Sequence, residues 1–204
     1  MIICTEQDGL AVLTIDRQEK ANSLTGAMLR DLADHLDRLA GAPDPVRAVV
    51  LTGAGKVFSA GADLDEARAG LATAPEWEAL SARIAAMPCL TIAALNGTLA
   101  GGAFGMALAC DLRIAVPGAR FFYPVMRLGF LPQPSDPGRL VRLVGPARAR
   151  MILMAGARIE APEALAWGLI DRIADDVMDQ ARALAADCLS AAPAHVAAIK
   201  DMTR

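Results

Sequence analysis

Little in this chain points to nucleic acid, membrane or metal. Its 204 residues carry 20 basic and 23 acidic side chains, for a net charge of -3 and a pI near 5.4. The two signs are interspersed without a polybasic run, so the electrostatic footprint of nucleic-acid binding is missing. No apolar stretch free of breakers reaches the length of a membrane span. The opening Met1-Ile2-Ile3-Cys4-Thr5-Glu6 lacks the basic segment of a secretory leader, and the cytoplasm is the expected location. The four cysteines, Cys4, Cys89, Cys110 and Cys188, form no CxxC and read as reduced thiols in apolar contexts. His35 and His195 are the only histidines, and no cluster has metal-ligand spacing, so no metal is expected. Aromatic residues make up only 4% against 54% hydrophobic, which implies a core of Ala, Leu and Val. The length suits one domain, and the apolar surplus suits buried subunit interfaces.

Common catalytic motifs are missing too. Gly53-Ala54-Gly55-Lys56 is not a phosphate loop, because Val57 follows the lysine and Val50 holds the place of the first glycine. No G-x-G-x-x-G occurs. Ser59 lacks the leading glycine of a nucleophile elbow.

What is present is strand–helix alternation. Ile2 to Thr5 and Leu10 to Ile15 read as a hairpin around Asp8-Gly9. Thr25 to Ala40 has helical spacing at Met28, Leu29, Leu32, Leu36 and Leu39. Arg47 to Leu51 and Leu90 to Ala94 read as buried strands, with a helix over Pro75 to Met87 between them. This order implies parallel pairing with crossovers. From Pro146 onward helices are expected over Ala147 to Ala155, Pro162 to Trp167 and Asp176 to Leu189, with a last one from near Pro193. An α/β part over 1–145 and a helical part over 146–204 form one unit.

Two glycine-rich turns carry the most information. Ala48-Val49-Val50-Leu51 runs into Thr52-Gly53-Ala54-Gly55-Lys56-Val57-Phe58-Ser59-Ala60-Gly61-Ala62-Asp63-Leu64. Leu90-Thr91-Ile92-Ala93 runs into Asn96-Gly97-Thr98-Leu99-Ala100-Gly101-Gly102-Ala103-Phe104-Gly105. Each precedes a helix-like segment, whose first N–H groups have no intrahelical partner. Two converging N–H donors make a site for a negatively charged oxygen.

This pair of turns resembles the enoyl-CoA hydratase/isomerase (crotonase) family. The resemblance continues through Ala109-Cys110-Asp111-Leu112-Arg113-Ile114-Ala115, Leu128-Gly129-Phe130-Leu131-Pro132 and Gly168-Leu169-Ile170-Asp171. It implies a spiral of β-β-α units with a mainly helical C-terminal part. It implies an acyl-CoA substrate whose thioester oxygen lies between the N–H groups of Ala60 and Gly102. Coenzyme A then enters as part of the substrate, with no separate cofactor. Its ribose-phosphate and pantetheine are expected near Lys20 and Ala21, and its adenine at the backbone of Ala62, Asp63 and Leu64. Arg17 or Lys20 is available for a phosphate. A homotrimer or hexamer is expected by the same analogy. Family members usually run on into helices that cover the acyl pocket; the fold is expected to be shortened at its C-terminus, with the pocket open or closed by a neighbouring subunit.

The acid/base residues depart from the family pattern. One glutamate belongs three residues after the second oxyanion glycine, and here that position is Gly105. The other belongs directly after Pro124, and here it is Val125. Some branches place an aspartate where Gln133 stands, and Asp136 lies three residues beyond it. Asp136 fits either a helix N-cap before Pro137 or a carboxylate re-aimed into the cavity. Tyr123 fits either the core or a hydrogen-bond donor to substrate. The expected activity is isomerisation, decarboxylation or thioester hydrolysis rather than hydration. The alternative is a catalytically weak acyl-CoA-binding or assembly protein that keeps the fold. Glutamates returned to both 105 and 125 are expected to recover some hydration.

Overall fold

The computed structural model describes residues 1–203. Strands β1 (Ile2–Gln7) and β2 (Leu10–Ile15) form an antiparallel hairpin. Asp8 and Gly9 both take positive φ, 52° and 83°, as a two-residue turn matching strand twist requires. Helix α1 (Gly26–Ala40) starts at Thr25, whose side chain accepts the Met28 N–H, and buries the apolar stripe read from its spacing.

Three turns of a spiral follow. Strand β3 (Ala48–Gly53) leads to β4 (Val57–Ser59), α2 (Leu64–Arg68) and α3 (Glu76–Ala86). Strand β5 (Leu90–Leu95) leads to β6 (Thr98–Ala100) and α4 (Ala103–Ala109). Strand β7 (Leu112–Ala115) leads to β8 (Arg120–Phe122), α5 (Val125–Leu128) and α6 (Asp136–Leu153). The chain closes with β9 (Ile159–Glu160), α7 (Ala161–Trp167), β10 (Arg172–Ile173), α8 (Val177–Ser190) and α9 (Pro193–Met202). Each turn thus gives its first strand to a six-stranded sheet, ordered β1-β2-β3-β5-β7-β10, and its second to a four-stranded sheet, β4-β6-β8-β9.

Strands β2, β3, β5, β7 and β10 pair in parallel. Such a sheet must be covered on both faces. Val49, Leu51, Ala93 and Leu95 face the main core with α1, α3 and α4. Ala48, Val50, Ile92 and Ala94 face the other way, under Val177, Ala181 and Ala185 of α8. That is why these strands read as continuous apolar runs.

The helix expected from Ala147 begins instead at Asp136. Gly145, at φ 77° and ψ 165°, kinks it before Pro146, which joins the helix start considered at Pro137 to the helix read from Ala147. Among the described residues, no helix is long and apolar enough to cross a membrane and no metal-type cluster occurs.

Candidate active site

The spiral brings the two glycine turns into contact. Gly61, at φ 95°, lies so close to the second turn that a Cβ there would come within 2.9 Å of the Ala100 carbonyl and 3.3 Å of the Gly102 nitrogen. Only glycine fits that conformation and that approach. Asn22 and Asn96 hold the first turn. The Asn22 amide donates to the Ala54 and Val57 carbonyls at 2.9 and 2.6 Å, and the Asn96 carboxamide oxygen accepts the Gly53 N–H at 3.0 Å.

Backbone accounting then isolates the free donors. The Ala60 N–H donates to the Ala21 carbonyl at 3.0 Å. This corrects the expectation for Ala60: its nitrogen is already committed. The Gly61 N–H goes to Ser59 Oγ at 3.1 Å and the Asp63 N–H to the Leu24 carbonyl at 2.8 Å. The Ala62 N–H between them has no protein acceptor among the described residues. In the second turn the Gly101 N–H reaches the Phe122 carbonyl at 3.2 Å, and the next N–H, that of Gly102, has no acceptor among the described residues. Ala60, Ala62, Gly101 and Gly102 share one cavity wall with Tyr123 and Val125. Leu64, Leu128, Phe130 and Leu131 complete an apolar mouth. Sequence reasoning had Ala62 only beside the adenine. The signal that separates it from Ala60 lies in the Asn22 loop, where Ala21 takes φ 50° and turns its carbonyl onto Ala60.

The other expected contacts fall unevenly. Lys20 is exposed and has no ionic partner among the described residues, whereas Arg17 is held by Asp63 at 2.8 Å. Of the two, Lys20 is the cation without a carboxylate partner among the described residues. Asp63 accepts the Asp65 and Glu66 N–H groups as the N-cap of α2. The Glu66 N–H, then Arg17, hold its carboxyl below the usual aspartate range.

Asp136 does not cap a helix. Ser135 holds the N-cap position of α6, and Glu78 of α3 accepts both its N–H and its hydroxyl. The Asp136 side chain, 1% exposed, accepts the Tyr123 hydroxyl at 2.9 Å. Its Oδ1 has no partner. Tyr123 is buried as a core residue would be, yet it also lines the cavity, with its ring stacked on Phe104. Burial pushes the Asp136 carboxyl up to about 6, against the Tyr123 hydrogen bond and Arg139, which lower it. Burial, then the neighbouring Asp136 charge, raises the Tyr123 phenol far above its ordinary value.

The Asp136 shift has a consequence for stability. A carboxyl that ionises near 3.8 when unfolded and about 6 when folded keeps its proton in the folded state over that interval. Stability is therefore fully present below about pH 4, falls as pH rises to about 6, and is level above. Asp136→Asn should remove that fall, on the order of 3 kcal/mol across the window. Urea unfolding of both proteins at several pH values measures it. Parallel pH profiles would show that Asp136 ionises normally.

The architecture defines a spiral α/β protein whose cavity is walled by two glycine-rich strand-to-helix turns. The chain belongs to the enoyl-CoA hydratase/isomerase family, whose profile matches residues 5–204. It is similar to 4-chlorobenzoyl coenzyme A dehalogenase-1 of an Arthrobacter species, with 36% identity over 93% of this chain and 72% of that protein. The crystal structure of an enoyl-CoA hydratase from Bacillus anthracis superposes with a TM-score of 0.90 at 31% identity, covering 98% of this chain and 81% of that one. A solved enoyl-CoA hydratase/isomerase family member superposes with a TM-score of 0.91 at 31% identity, covering 99% and 81%. The crotonase-type spiral expected from the sequence is the observed fold.

Proposed function

We propose that the protein is an acyl-CoA enzyme that polarises the thioester carbonyl between the N–H groups of Ala62 and Gly102 and stabilises the resulting enolate. The observation that carries this reading is backbone accounting. Each glycine turn offers an N–H without an acceptor on a residue that lines the same cavity, Ala62 in the first and Gly102 in the second. Ala62 and Gly102 are half-buried at the cavity wall, so both N–H groups are open to a ligand, and hydrogen bonds to an anionic oxygen are stronger than those to a neutral one. Coenzyme A enters as part of the substrate. Lys20 is placed for its phosphate, with Ala21, Asp63 and Leu64 along the approach. The apolar mouth of Leu128, Phe130 and Leu131 suits an acyl group without charge. With Gly105 and Val125 at the usual glutamate positions, the favoured chemistry is proton transfer at the thioester's α-carbon, as in isomerisation or decarboxylation, or else thioester hydrolysis.

The test pairs two substitutions at one position. A Cβ at residue 102 would sit 3.1 Å from the Trp77 ring, a contact that Ala and Pro share. Gly102→Ala keeps the N–H and Gly102→Pro removes it. An acyl-CoA at 100 times its Kd should stabilise the unmodified protein by about 2.7 kcal/mol in thermal unfolding. Thioester turnover should fall about 10²–10³-fold further in the Pro variant than in the Ala variant. No calorimetric binding of any acyl-CoA at millimolar concentration would sink the reading.

A further inference from the structure

We propose that Tyr123 is a catalytic residue of this cavity, exchanging a proton with the α-carbon of a bound thioester, and that Asp136 is its positioning residue, taking up and returning the phenol's own proton. This rests on the thioester reading above and names the groups that replace the glutamates at 105 and 125.

Three observations converge. Tyr123 lines the same cavity as Ala62 and Gly102. Its hydroxyl donates to Asp136 Oδ2 at 2.9 Å, and the Gln133 N–H reaches the same hydroxyl at 3.5 Å. Asp136 occupies the space that a side chain on Gly105 would fill, since a Cβ there would meet Oδ1 at 2.8 Å. A carboxylate from the start of α6 thus lies against the position on α4 that lacks one. As a purely structural device the pair is poor. It leaves Oδ1 buried and unpartnered, which an apolar pair of similar volume would avoid. A buried carboxyl poised near neutral pH beside a phenol suits proton transfer. The charged groups that face Asp136 are Glu78 of α3 and Arg139 of α6, besides Tyr123 itself.

The step balances within the site. The α C–H bond breaks and its electron pair becomes the enolate double bond, with the negative charge on the oxygen held by Ala62 and Gly102. The proton goes to the Tyr123 oxygen, and the phenol's original proton passes to the Asp136 carboxylate. Reversal returns a proton to carbon, so Tyr123 ends unchanged and no redox partner is needed.

The experiment is α-hydrogen exchange of butyryl-CoA in deuterated buffer, followed by mass spectrometry. Butyryl-CoA is saturated, so hydration cannot intervene. Its Kd is measured in parallel by calorimetry. The unmodified protein should exchange well above a buffer blank, at a rate rising with pH through about 6. Tyr123→Phe, which keeps the ring stacked on Phe104, should lose at least about 100-fold in rate with Kd changed less than about threefold. Asp136→Asn should lose a similar factor and the pH dependence with it. If Asp136→Asn does not fold, Tyr123→Phe still decides. Butyryl-CoA that binds without exchange, or either folded variant exchanging at the unmodified rate, overturns the proposal and leaves the thioester site standing. If butyryl-CoA does not bind, the same exchange is read on an acyl-CoA that does, and calorimetry in which none binds overturns the thioester reading itself.

Discussion

Crotonyl-CoA is expected to be hydrated at least about 10⁴-fold more slowly by this protein than by a family hydratase with both glutamates. Hydration needs one group to activate water and another to deliver a proton to carbon, and each is worth roughly 10²–10⁴. Helix α4 presents no side chain at Gly105, and Val125 at the start of α5 is buried and apolar. The Tyr123–Asp136 pair lies on the Gly105 side. The cavity is also lined by Val125, Leu128, Phe130 and Leu131, none of which moves a proton. One proton-transfer device remains where hydration uses two, and the losses combine without simple additivity. Steady-state kinetics on crotonyl-CoA decide the matter. Turnover near ordinary hydratase rates would mean that positions 105 and 125 do not carry the acid and base in this fold.

Gly105→Glu is expected to unfold much of the protein rather than restore hydration. Even a Cβ at 105 would lie 2.8 Å from Asp136 Oδ1 and 3.1 Å from Oδ2, well inside ordinary contact. Alanine there should cost about 1–3 kcal/mol through overpacking. Glutamate adds a second buried carboxyl against the first, and the loss should exceed about 4 kcal/mol. Asp136→Gly in the same chain should return about 2 kcal/mol or more, because the two sites share one space. Urea unfolding of the single and double variants gives the coupling. A Gly105→Glu protein as stable as the unmodified one, with Asp136 intact, would show that the space is not shared. The same crowding stands against a recovery of hydration by glutamates at 105 and 125, because the pocket has no room at the first of them.

Much of the scaffold was legible because local rules and tertiary demands agree. The Asp8-Gly9 turn and the stripe of α1 appear where the sequence places them. The continuous runs of β3 and β5 became buried parallel strands. The short strands β4, β6 and β8 were not read from periodicity, since three residues hold too little of it. A helix start at Pro137 was one of two readings of the Asp136 segment, and the structure places the start of α6 at Asp136 itself.

The amino-acid sequence by itself determined the order of the longer strands and helices, the two glycine turns and the absence of carboxylates at 105 and 125. Those features rest on neighbours in the chain: side-chain periodicity, turn chemistry and the conformational freedom of glycine. Only the tertiary structure decided which N–H groups are free and where a carboxylate lies. The Ala60 nitrogen is consumed by the carbonyl of Ala21, and Ala62 is left open. Asp136, Tyr123 and Gly105 come from three separate elements and meet in one buried space. A hydrogen-bond inventory and a shared volume are properties of surfaces in contact, and no spacing along the chain encodes which surfaces those are.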